Sequence, residues 1–387
     1  MENIRPYILR LIAALKVRAW RVAQLFLINK HRQQLAFILS QHGSARQVIV
    51  FPPGLDWQKQ LFQRPQHLAL SLARQGILVF YVEPEESDSP SGFREEAKNL
   101  YLCHVPLTVF GHLFGLWVHT FTWNKKYTGF FLEPRLIYDF VDDLDVFQGS
   151  RTQLEKNHAE LLLNATLVLA TSEKLHELVI NQRSDALLCP NGVDYDHFLP
   201  KKYPVPVDLM KILDMGKPIA GYYGALAKWF DYALLRQVAE KKPDWCFVLI
   251  GPESNGSLTA SGLLGVSNIF WLNRKPYSEL PAYLASFDVA IIPFIVNEIT
   301  HATSPIKLFE YMAGGKPILI TPMRESLRYD GVLVAGTSDE FSVKLEEALN
   351  LQNDLSYQML IERTARENTW DARAAQILVA MNRFPLS

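Results

Sequence analysis

The chain has 387 residues, of which 49% are hydrophobic and 20% charged, and its formal net charge is −1. This composition excludes a disordered chain, and the length predicts two domains because single cores usually stop growing at about 250–300 residues. The near-neutral charge gives no long-range field that would attract nucleic acid, so we expect no such partner. Three widely spaced cysteines, Cys103, Cys189 and Cys246, form no zinc or redox motif and predict buried thiols in a reducing, cytoplasmic compartment.

Residues 1–46 predict a basic helical extension. They hold eight Arg and Lys against the single acid Glu2, a charge of +7 that leaves −8 for the rest of the chain. The segment has neither a long uncharged apolar window nor a small-residue cleavage site, so we expect no membrane span and no secretion signal. Apolar residues such as Trp20 and Phe26 alternate with basic ones, which is typical of a helix on an anionic membrane surface. A helix docked on the protein or on a partner explains the same pattern, and both interpretations stay open.

Residues 47–200 follow the pattern of a Rossmann-like domain. Its first strand ends in a turn at Gly54, and a helix and a second strand follow, which is the usual start of such a fold. The sequence has no G-x-G-x-x-G motif, so dinucleotide binding is not predicted. Strands are predicted at 47–51, 77–82, 136–141, 167–170 and 186–190, and a helix at 62–75.

Several carboxylates follow the strand at 136–141. Asp139 lies near its end, and Asp142, Asp143 and Asp145 come directly after it. Open α/β sheets bind their ligands at the carboxyl ends of the parallel strands. These carboxylates could cap the next helix, orient a substrate hydroxyl or bind a metal, but no histidine completes a metal-ligand set, so no metal is predicted. We take Asp142 as the candidate catalytic carboxylate.

A proline-containing connector at 201–217 predicts a stiff linker before a second α/β domain at 218–369. A terminal helix at 370–387 follows, beginning at Trp370. In the second domain, strands are predicted at 218–226, 245–250, 268–272, 288–294 and 316–321, and helices at 231–242 and 278–287.

The stretch 288–321 carries the strongest functional signal. After its strand and an irregular loop, Ser304 and Pro305 predict a helix start as N-cap and first helical residue, and Gly314-Gly315 predicts a left-handed end. Free N–H groups at such a helix start suit a phosphate. Glu310 could pair with Lys307 on a solvated face, or accept hydrogen bonds from a ribose whose phosphates lie on the helix start.

The segment SPIKLFEYMAGGKPILIT resembles the nucleotide-sugar segment of the retaining group 1 glycosyltransferases, in the branch that includes teichuronic-acid and exopolysaccharide transferases. The resemblance implies an α/β fold of the GT-B type, two Rossmann-like domains facing across a cleft. It also implies that Glu310 holds the donor ribose. The family usually has a second Glu eight positions earlier, where this chain has Ala302, and a Gly-rich turn where it has Ser304-Pro305. The donor-binding residues implied at the helix start are Ser304, Pro305, Ile306 and Lys307.

Three further stretches resemble the same branch. GLDWQKQLFQRPQHLALSLARQG resembles its first loop and helix, in which Gly54 lets the backbone approach the donor phosphate. GYYGALAKWFD resembles the first turn of the second domain, with Gly224 as a donor-binding residue and Lys228 in place of the family lysine that holds the diphosphate. Arg274 lies in the loop that receives the base. The terminal helix is expected to cross back onto the first domain.

The resemblance implies transfer of a hexosyl unit from a nucleotide-diphosphate sugar to a lipid-linked, for example polyprenyl-linked, or cell-surface glycan. It implies a retaining mechanism without metal or cofactor, and we take Lys228 and Asp142 as the candidate catalytic residues. The basic extension at 1–46, together with a lipid-linked acceptor, predicts an enzyme at the inner face of the plasma membrane. Two other functions stay open from the residues alone. One is a sugar-nucleotide epimerase or hydrolase on the same fold, and the other is a non-catalytic subunit that binds nucleotide sugar.

Overall fold

The computed structural model describes residues 26–43, 47–58, 61–84, 86, 90–147 and 149–384. The membrane-surface prediction therefore falls largely outside the described residues, since residues 1–25 and 44–46 are not among them. Within the described part of the chain, no helix is both long enough and apolar enough to cross a membrane.

The central strands of the first sheet are short apolar runs buried on both faces, as expected for parallel strands covered by helices. Its strands are β1 (Val48–Phe51), β2 (Leu78–Val82), β3 (Gly92–Ala97), β4 (Leu100–His104), β5 (Trp117–Thr120), β6 (Arg135–Phe140), β7 (Leu167–Ala170) and β8 (Leu187–Leu188). Their order is β3-β4-β2-β1-β5-β6-β7-β8, and only the β3–β4 pair is antiparallel. The helices of this half are α1 (26–41), α2 (Arg64–Arg74), α3 (Arg151–Asn164), α4 (Glu173–Ile180) and α5 (Tyr195–Phe198).

The second sheet is wholly parallel. Its strands are β9 (Ile219–Tyr223), β10 (Cys246–Ile250), β11 (Ile269–Trp271), β12 (Val289–Ile292), β13 (Ile318–Ile320) and β14 (Val332–Val334), in the order β11-β10-β9-β12-β13-β14. The accompanying helices are α6 (Met210–Leu213), α7 (Tyr232–Lys241), α8 (Ser257–Ser261), α9 (Leu280–Ala285), α10 (Glu298–His301), α11 (Ile306–Ala313), α12 (Ser338–Leu351), α13 (Leu355–Glu367) and α14 (Trp370–Met381). The predicted α/β class with two Rossmann-like sheets is confirmed.

Each sheet has a point at which the strand order reverses direction. In the first sheet β1 lies between β2 and β5, and in the second β9 lies between β10 and β12. Open α/β sheets bind ligands outside the carboxyl ends of the strands at such a switch point. The fold therefore predicts a ligand-binding site at the loops after β1 and β9.

The terminal helix α14 packs on α2 of the first sheet. Its Trp370 is fully buried and stacks on His67 with ring centroids 4.8 Å apart. Ile377 and Met381 of α14 share a buried apolar cluster with first-sheet residues such as Ile49. The last helix of the chain thus joins the two halves.

Helix α1 is docked on the protein rather than free. Leu35 and Ile38 are buried in an apolar cluster with Val50 and Phe80 of the first sheet. On its other face, Phe26 and Phe37 are exposed. For this part of the N-terminal extension, the docked-helix interpretation is the correct one.

Two details of helix α11 differ from the sequence prediction. Ser304 is not the N-cap, because the cap is Pro305 and the helix begins at Ile306. The loop before it is not wholly irregular, since α10 begins there with Asn297 as its N-cap. The predicted helix end is confirmed, with Gly315 in the left-handed conformation at φ +67°.

Candidate active site

A cavity of about 1240 Å³ lies between the carboxyl ends of the two sheets. Loops after β1 and β6 line one side, and loops after β9, β10 and β12 with the start of α11 line the other. This is the position that the two switch points indicate. Nine of the sequence-predicted residues line the cavity: Gly54, Asp142, Gly224, Arg274, Ser304, Pro305, Ile306, Lys307 and Glu310.

Lys228, the predicted catalytic cation, is not brought to the cavity. It is exposed on the turn after β9 and is absent from the described residues that line the cavity. The turn is fixed by its apolar neighbours, since Leu226 and Phe230 are fully buried and Phe230 bridges to Phe294. Because these side chains are buried in the turn, Lys228 is left exposed, and its contact with a diphosphate stays a prediction.

Two glycines let the loops of the second sheet approach each other. Gly224 and Gly251 both have φ +143°, a backbone conformation that L side chains rarely adopt. A Cβ on Gly251 would lie 1.8 Å from the Gly224 carbonyl oxygen, and a Cβ on Gly224 would lie 2.8 Å from Lys307 Cε. Both positions require glycine, and Gly224 leaves the room that Lys307 occupies.

Glu310 is buried in the cavity wall, with only 4% of its surface exposed. Burial raises the pKa of its carboxyl to about 7, while the Tyr223 hydroxyl and the Lys307 ammonium act in the opposite direction. The solvated i,i+3 pair is therefore the wrong interpretation of this residue. An ionised carboxylate in this place can accept hydrogen bonds from two adjacent hydroxyls.

Lys307 is the cation next to Glu310. Its ammonium nitrogen lies over two aromatic rings, 5.5 Å from the centroid of Tyr222 and 5.1 Å from that of Phe294. Burial lowers its pKa to about 8, and Glu310 opposes the shift. A poorly hydrated ammonium held between ring faces at a cavity wall is arranged to meet an anion.

Hydrogen bonds tie the start of α11 to the first sheet. The Asn191 side-chain amide donates to the Ser304 carbonyl at 2.6 Å, and the Asn191 backbone N–H donates to Ser304 Oγ at 3.3 Å. Arg64 in turn donates to Asn191 Oδ1 at 3.2 Å and, through Nε, to Asp139 at 2.7 Å. Ser304 is thus held by the opposite half of the protein, which explains why it does not cap its own helix. Ile306 and Lys307, the first two residues of that helix, line the cavity, and N–H groups at a helix start have no partner within the helix.

Ala302 does not face the cavity. It is fully buried in an apolar cluster with first-sheet residues that include Tyr138 and Phe140. A carboxylate at this position would be buried without solvent, which is costly unless it is paired. Thr300 and Thr303, on either side of it, do line the cavity, and their hydroxyls donate to the Ile295 and Ile299 carbonyls.

Asp142 lies on the first-sheet side of the cavity. Burial and, to a smaller extent, the neighbouring Asp143 raise its pKa to about 7, and Arg64 opposes the shift. Asp143 itself caps the short helical turn that follows, because its carboxylate accepts from the Asp145 backbone N–H at 3.0 Å. Of the carboxylates after β6, one caps a turn and Asp142 is left at the cavity.

Sequence reasoning missed some of the side chains that build this site. Arg64 and Tyr223 line the cavity but were not predicted to do so. Arg64 could have been suspected, since an arginine at the first position of a helix seldom has a role there unless it meets an acid elsewhere. Nothing in the sequence separates Tyr223 from other strand tyrosines. Among the described residues, no group of His, Cys, Asp and Glu has the arrangement of a metal site.

Part of the chain matches a known family. Residues 217–350 match the family described as glycosyl transferases group 1. The chain is 25% identical over 372 residues to TuaH of Bacillus subtilis (strain 168), a putative teichuronic acid biosynthesis glycosyltransferase, and the match covers 91% of this chain and 92% of TuaH.

Solved structures share the fold at low sequence identity. Sucrose-phosphate synthase from Thermosynechococcus elongatus is 15% identical with a TM-score of 0.63, over 87% of this chain and 99% of that one. Anabaena Alr3699/HepE in complex with UDP and glucose is 15% identical with a TM-score of 0.61, over 88% of this chain and 100% of that one. The chain thus has the GT-B fold of these structures. More particularly, residues 217–350 match the group 1 glycosyltransferases, and the chain as a whole is a distant homologue of the putative glycosyltransferase TuaH.

Proposed function

We propose that the protein transfers a hexosyl unit from a nucleotide-diphosphate sugar to a hydroxyl group of a lipid-linked or cell-surface glycan, with retention at the anomeric carbon. The observation that carries the proposal is that buried Glu310 and the cation Lys307 lie on the same cavity wall, one turn apart on α11. Structural neighbours support the donor class, since Alr3699/HepE was solved with UDP and glucose.

The donor lies on the second-sheet side in this proposal. Glu310 accepts hydrogen bonds from the two ribose hydroxyls, and the diphosphate lies at the start of α11 between the free N–H groups and Lys307. Arg274, whose Nη2 donates to the Gln58 carbonyl at 3.3 Å, borders the space left for the base. Lys307 takes the role that the sequence had suggested for Lys228.

The reaction breaks the bond between the anomeric carbon and the phosphate oxygen, and its electron pair leaves with the nucleoside diphosphate. The acceptor hydroxyl oxygen forms the new bond to that carbon on the same face, and its proton passes to the departing phosphate. Negative charge therefore grows on the diphosphate, where Lys307 and the helix N–H groups stabilise it without a metal. Asp142, across the cavity, orients the acceptor hydroxyl.

The acceptor class is inferred from the relation to TuaH. That protein is a putative teichuronic acid biosynthesis glycosyltransferase, so a growing envelope polysaccharide, in lipid-linked form, is the acceptor we propose.

A transfer assay with a panel of radiolabelled nucleotide sugars tests the function. We expect label from one donor to enter a glycan acceptor, with release of one nucleoside diphosphate per sugar transferred. Label recovered only as free sugar or as an epimerised nucleotide sugar would contradict the proposal. Tight donor binding without turnover on any acceptor of the panel would contradict it as well.

A further inference from the structure

The first-sheet side of the cavity has an aromatic wall, formed by Phe121, Trp123 and Phe147. The rings of Phe121 and Trp123 are stacked, with centroids 4.6 Å apart, and Phe147 follows at 4.8 Å from Trp123. All three side chains line the cavity, and Trp123 and Phe147 are half-buried. They therefore form one apolar surface that borders the open space.

The aromatic wall is held in place by its surroundings. The Asn124 side chain accepts from the Phe121 backbone N–H at 2.8 Å and donates to the Pro53 carbonyl at 3.3 Å. Asn157 of α3 donates to the Thr122 carbonyl at 2.9 Å. A surface fixed in this way is preorganised, so a ligand that packs on it does not have to order it first.

The charges around the cavity are divided between its two sides. Among the described lining residues, the basic side chains of the second-sheet side are Lys307, Arg274 and Lys275. On the first-sheet side, the charged lining residues are Arg64, Glu96 and Asp142.

The single first-sheet cation among them is already engaged. Arg64 donates to the carboxylate of Asp139 at 2.7 Å, and both side chains are buried. Glu96 accepts from Trp57 Nε1 at 3.2 Å. Asp142 therefore leaves this side of the cavity with acidic character next to the aromatic wall.

We propose that the aromatic wall and Asp142 form the acceptor subsite, and that the subsite takes an uncharged sugar ring. This proposal rests on the proposed function. The C–H face of a pyranose packs on an aromatic face, and a carboxylate accepts hydrogen bonds from sugar hydroxyls. A uronate or a phosphorylated sugar on this wall would place a second negative charge beside Asp142, which costs free energy in a partly dry cleft. The acceptor residue that enters the cleft is thus neutral, even where the polymer carries acidic sugars elsewhere.

Acceptor competition tests the charge selection. At saturating donor, methyl glycosides of neutral hexoses are compared with the methyl glycosides of the matching uronic acids and hexose 6-phosphates. We expect kcat/KM for the neutral member of each pair to be at least about ten-fold higher, consistent with one unfavourable charge contact. Equal or higher kcat/KM for the anionic member would overturn the proposal.

The aromatic wall is tested by substitution of its central ring. Trp123→Ala is expected to lower kcat/KM for methyl glycosides about ten-fold or more, and Trp123→Phe to restore most of it. The affinity of Trp123→Ala for the nucleoside diphosphate, measured by calorimetry, should stay within two-fold of that of the unsubstituted protein. This result also shows that the variant is folded. Phe130→Ala is the matched control, since Phe130 is exposed and does not line the cavity. Unchanged acceptor kinetics in Trp123→Ala would refute the subsite.

Octyl glycosides separate ring binding from chain binding. If the aromatic wall takes the sugar ring, Trp123→Ala lowers kcat/KM equally for methyl and octyl glycosides. If Trp123→Ala instead lowers kcat/KM for octyl glycosides only, the wall binds the lipid part of the acceptor and the proposal is wrong. Should no donor support turnover, saturation-transfer NMR in the presence of UDP compares binding of the same neutral and anionic glycosides. That readout decides on the subsite independently of the proposed function.

Discussion

At the scale of single residues, Lys307 and Glu310 show how burial changes the meaning of a common spacing. A lysine followed by a glutamate three positions later is usually an exposed pair worth a few tenths of a kcal/mol. The same spacing occurs on α12, where Lys344 and Glu347 form an exposed pair at 2.6 Å. On α11 the pair lies in the cavity wall, and both pKa values shift toward neutrality. The α12 pair is therefore a built-in control for the α11 pair.

The ribose contact predicts a loss of donor affinity. Glu310→Ala should weaken nucleoside diphosphate binding by about 2–4 kcal/mol, because two hydroxyl groups lose charged hydrogen-bond partners. Isothermal calorimetry measures the change, with Glu347→Ala as the matched control. If Glu310→Ala binds as tightly as the control, Glu310 does not hold the donor.

The phosphate contact predicts a loss of turnover. Lys307→Ala should lower kcat by about 100-fold or more while donor affinity falls much less, because the diphosphate gains charge only as the glycosidic bond breaks. Steady-state kinetics on Lys307→Ala, Lys344→Ala and Lys228→Ala check this assignment. A loss confined to KM would make Lys307 a binding contact only, and a larger loss of kcat in Lys228→Ala would return the assignment to Lys228.

The shifted pKa values predict different pH dependences for donor binding and for turnover. Glu310 accepts charge-assisted hydrogen bonds from both ribose hydroxyls only when it is ionised, so donor affinity should fall as the pH drops below about 7. Lys307 stabilises the departing diphosphate only when it is protonated, so kcat should fall as the pH rises above about 8. Calorimetry with the nucleotide sugar and steady-state kinetics across pH 6 to about pH 9 measure the two effects. Lys307→Arg should remove the alkaline fall in kcat, because arginine stays charged. An affinity that does not change at acid pH would contradict the role of Glu310, and a kcat that does not change at alkaline pH would contradict that of Lys307.

At the scale of elements, the sequence predicts most of what periodicity and end signals determine. The buried apolar runs that became β1, β2, β6 and β9 were predicted, as was the glycine end of α11. The strand β3 was missed because its sequence GFREEA is short and charged at an antiparallel edge of the sheet. The cap of α11 was misassigned because Ser304 is held by Asn191, 113 positions away in sequence. No local pattern can report such a contact.

Helix α1 divides the N-terminal extension into two parts with different expected roles. Residues 26–41 pack on the first sheet through Leu35 and Ile38, whereas residues 1–25 carry Arg5, Arg10, Lys16, Arg18 and Arg21 against Glu2. We predict that deleting residues 1–25 releases the protein from anionic liposomes, because near-surface basic residues contribute about 1 kcal/mol each. Nucleotide binding should be unchanged.

Liposome co-sedimentation at low and high salt checks this prediction. Salt should weaken the attachment of the full chain, since the contact is partly electrostatic. A deletion through residue 41 serves as comparison and should destabilise the fold, because it removes two buried core side chains. If the protein lacking residues 1–25 still binds anionic liposomes, the membrane contact lies elsewhere.

At the scale of the whole molecule, the site exists only because two sheets meet. The Asn191–Ser304 contacts close the cleft near the donor helix, and Arg324 pairs with Glu177 at its edge. The sequence gives no distance between residues of different sheets, so the neighbours of Asp142 and Lys307 across the cavity could not be predicted from it. The resemblance to a known family implied the cleft. The structure shows basic side chains on its second-sheet side and stacked aromatic rings on its first-sheet side.

The stereochemistry of transfer tests the central claim most directly. Proton NMR of the reaction, recorded as the product forms, reads the anomeric configuration of the new glycosidic bond from its coupling constant. We predict that the product has the same configuration as the donor sugar, because attack and departure occur on one face, beside Lys307 and the start of α11. An inverted product, or hydrolysed sugar without a glycosidic product, would contradict the account.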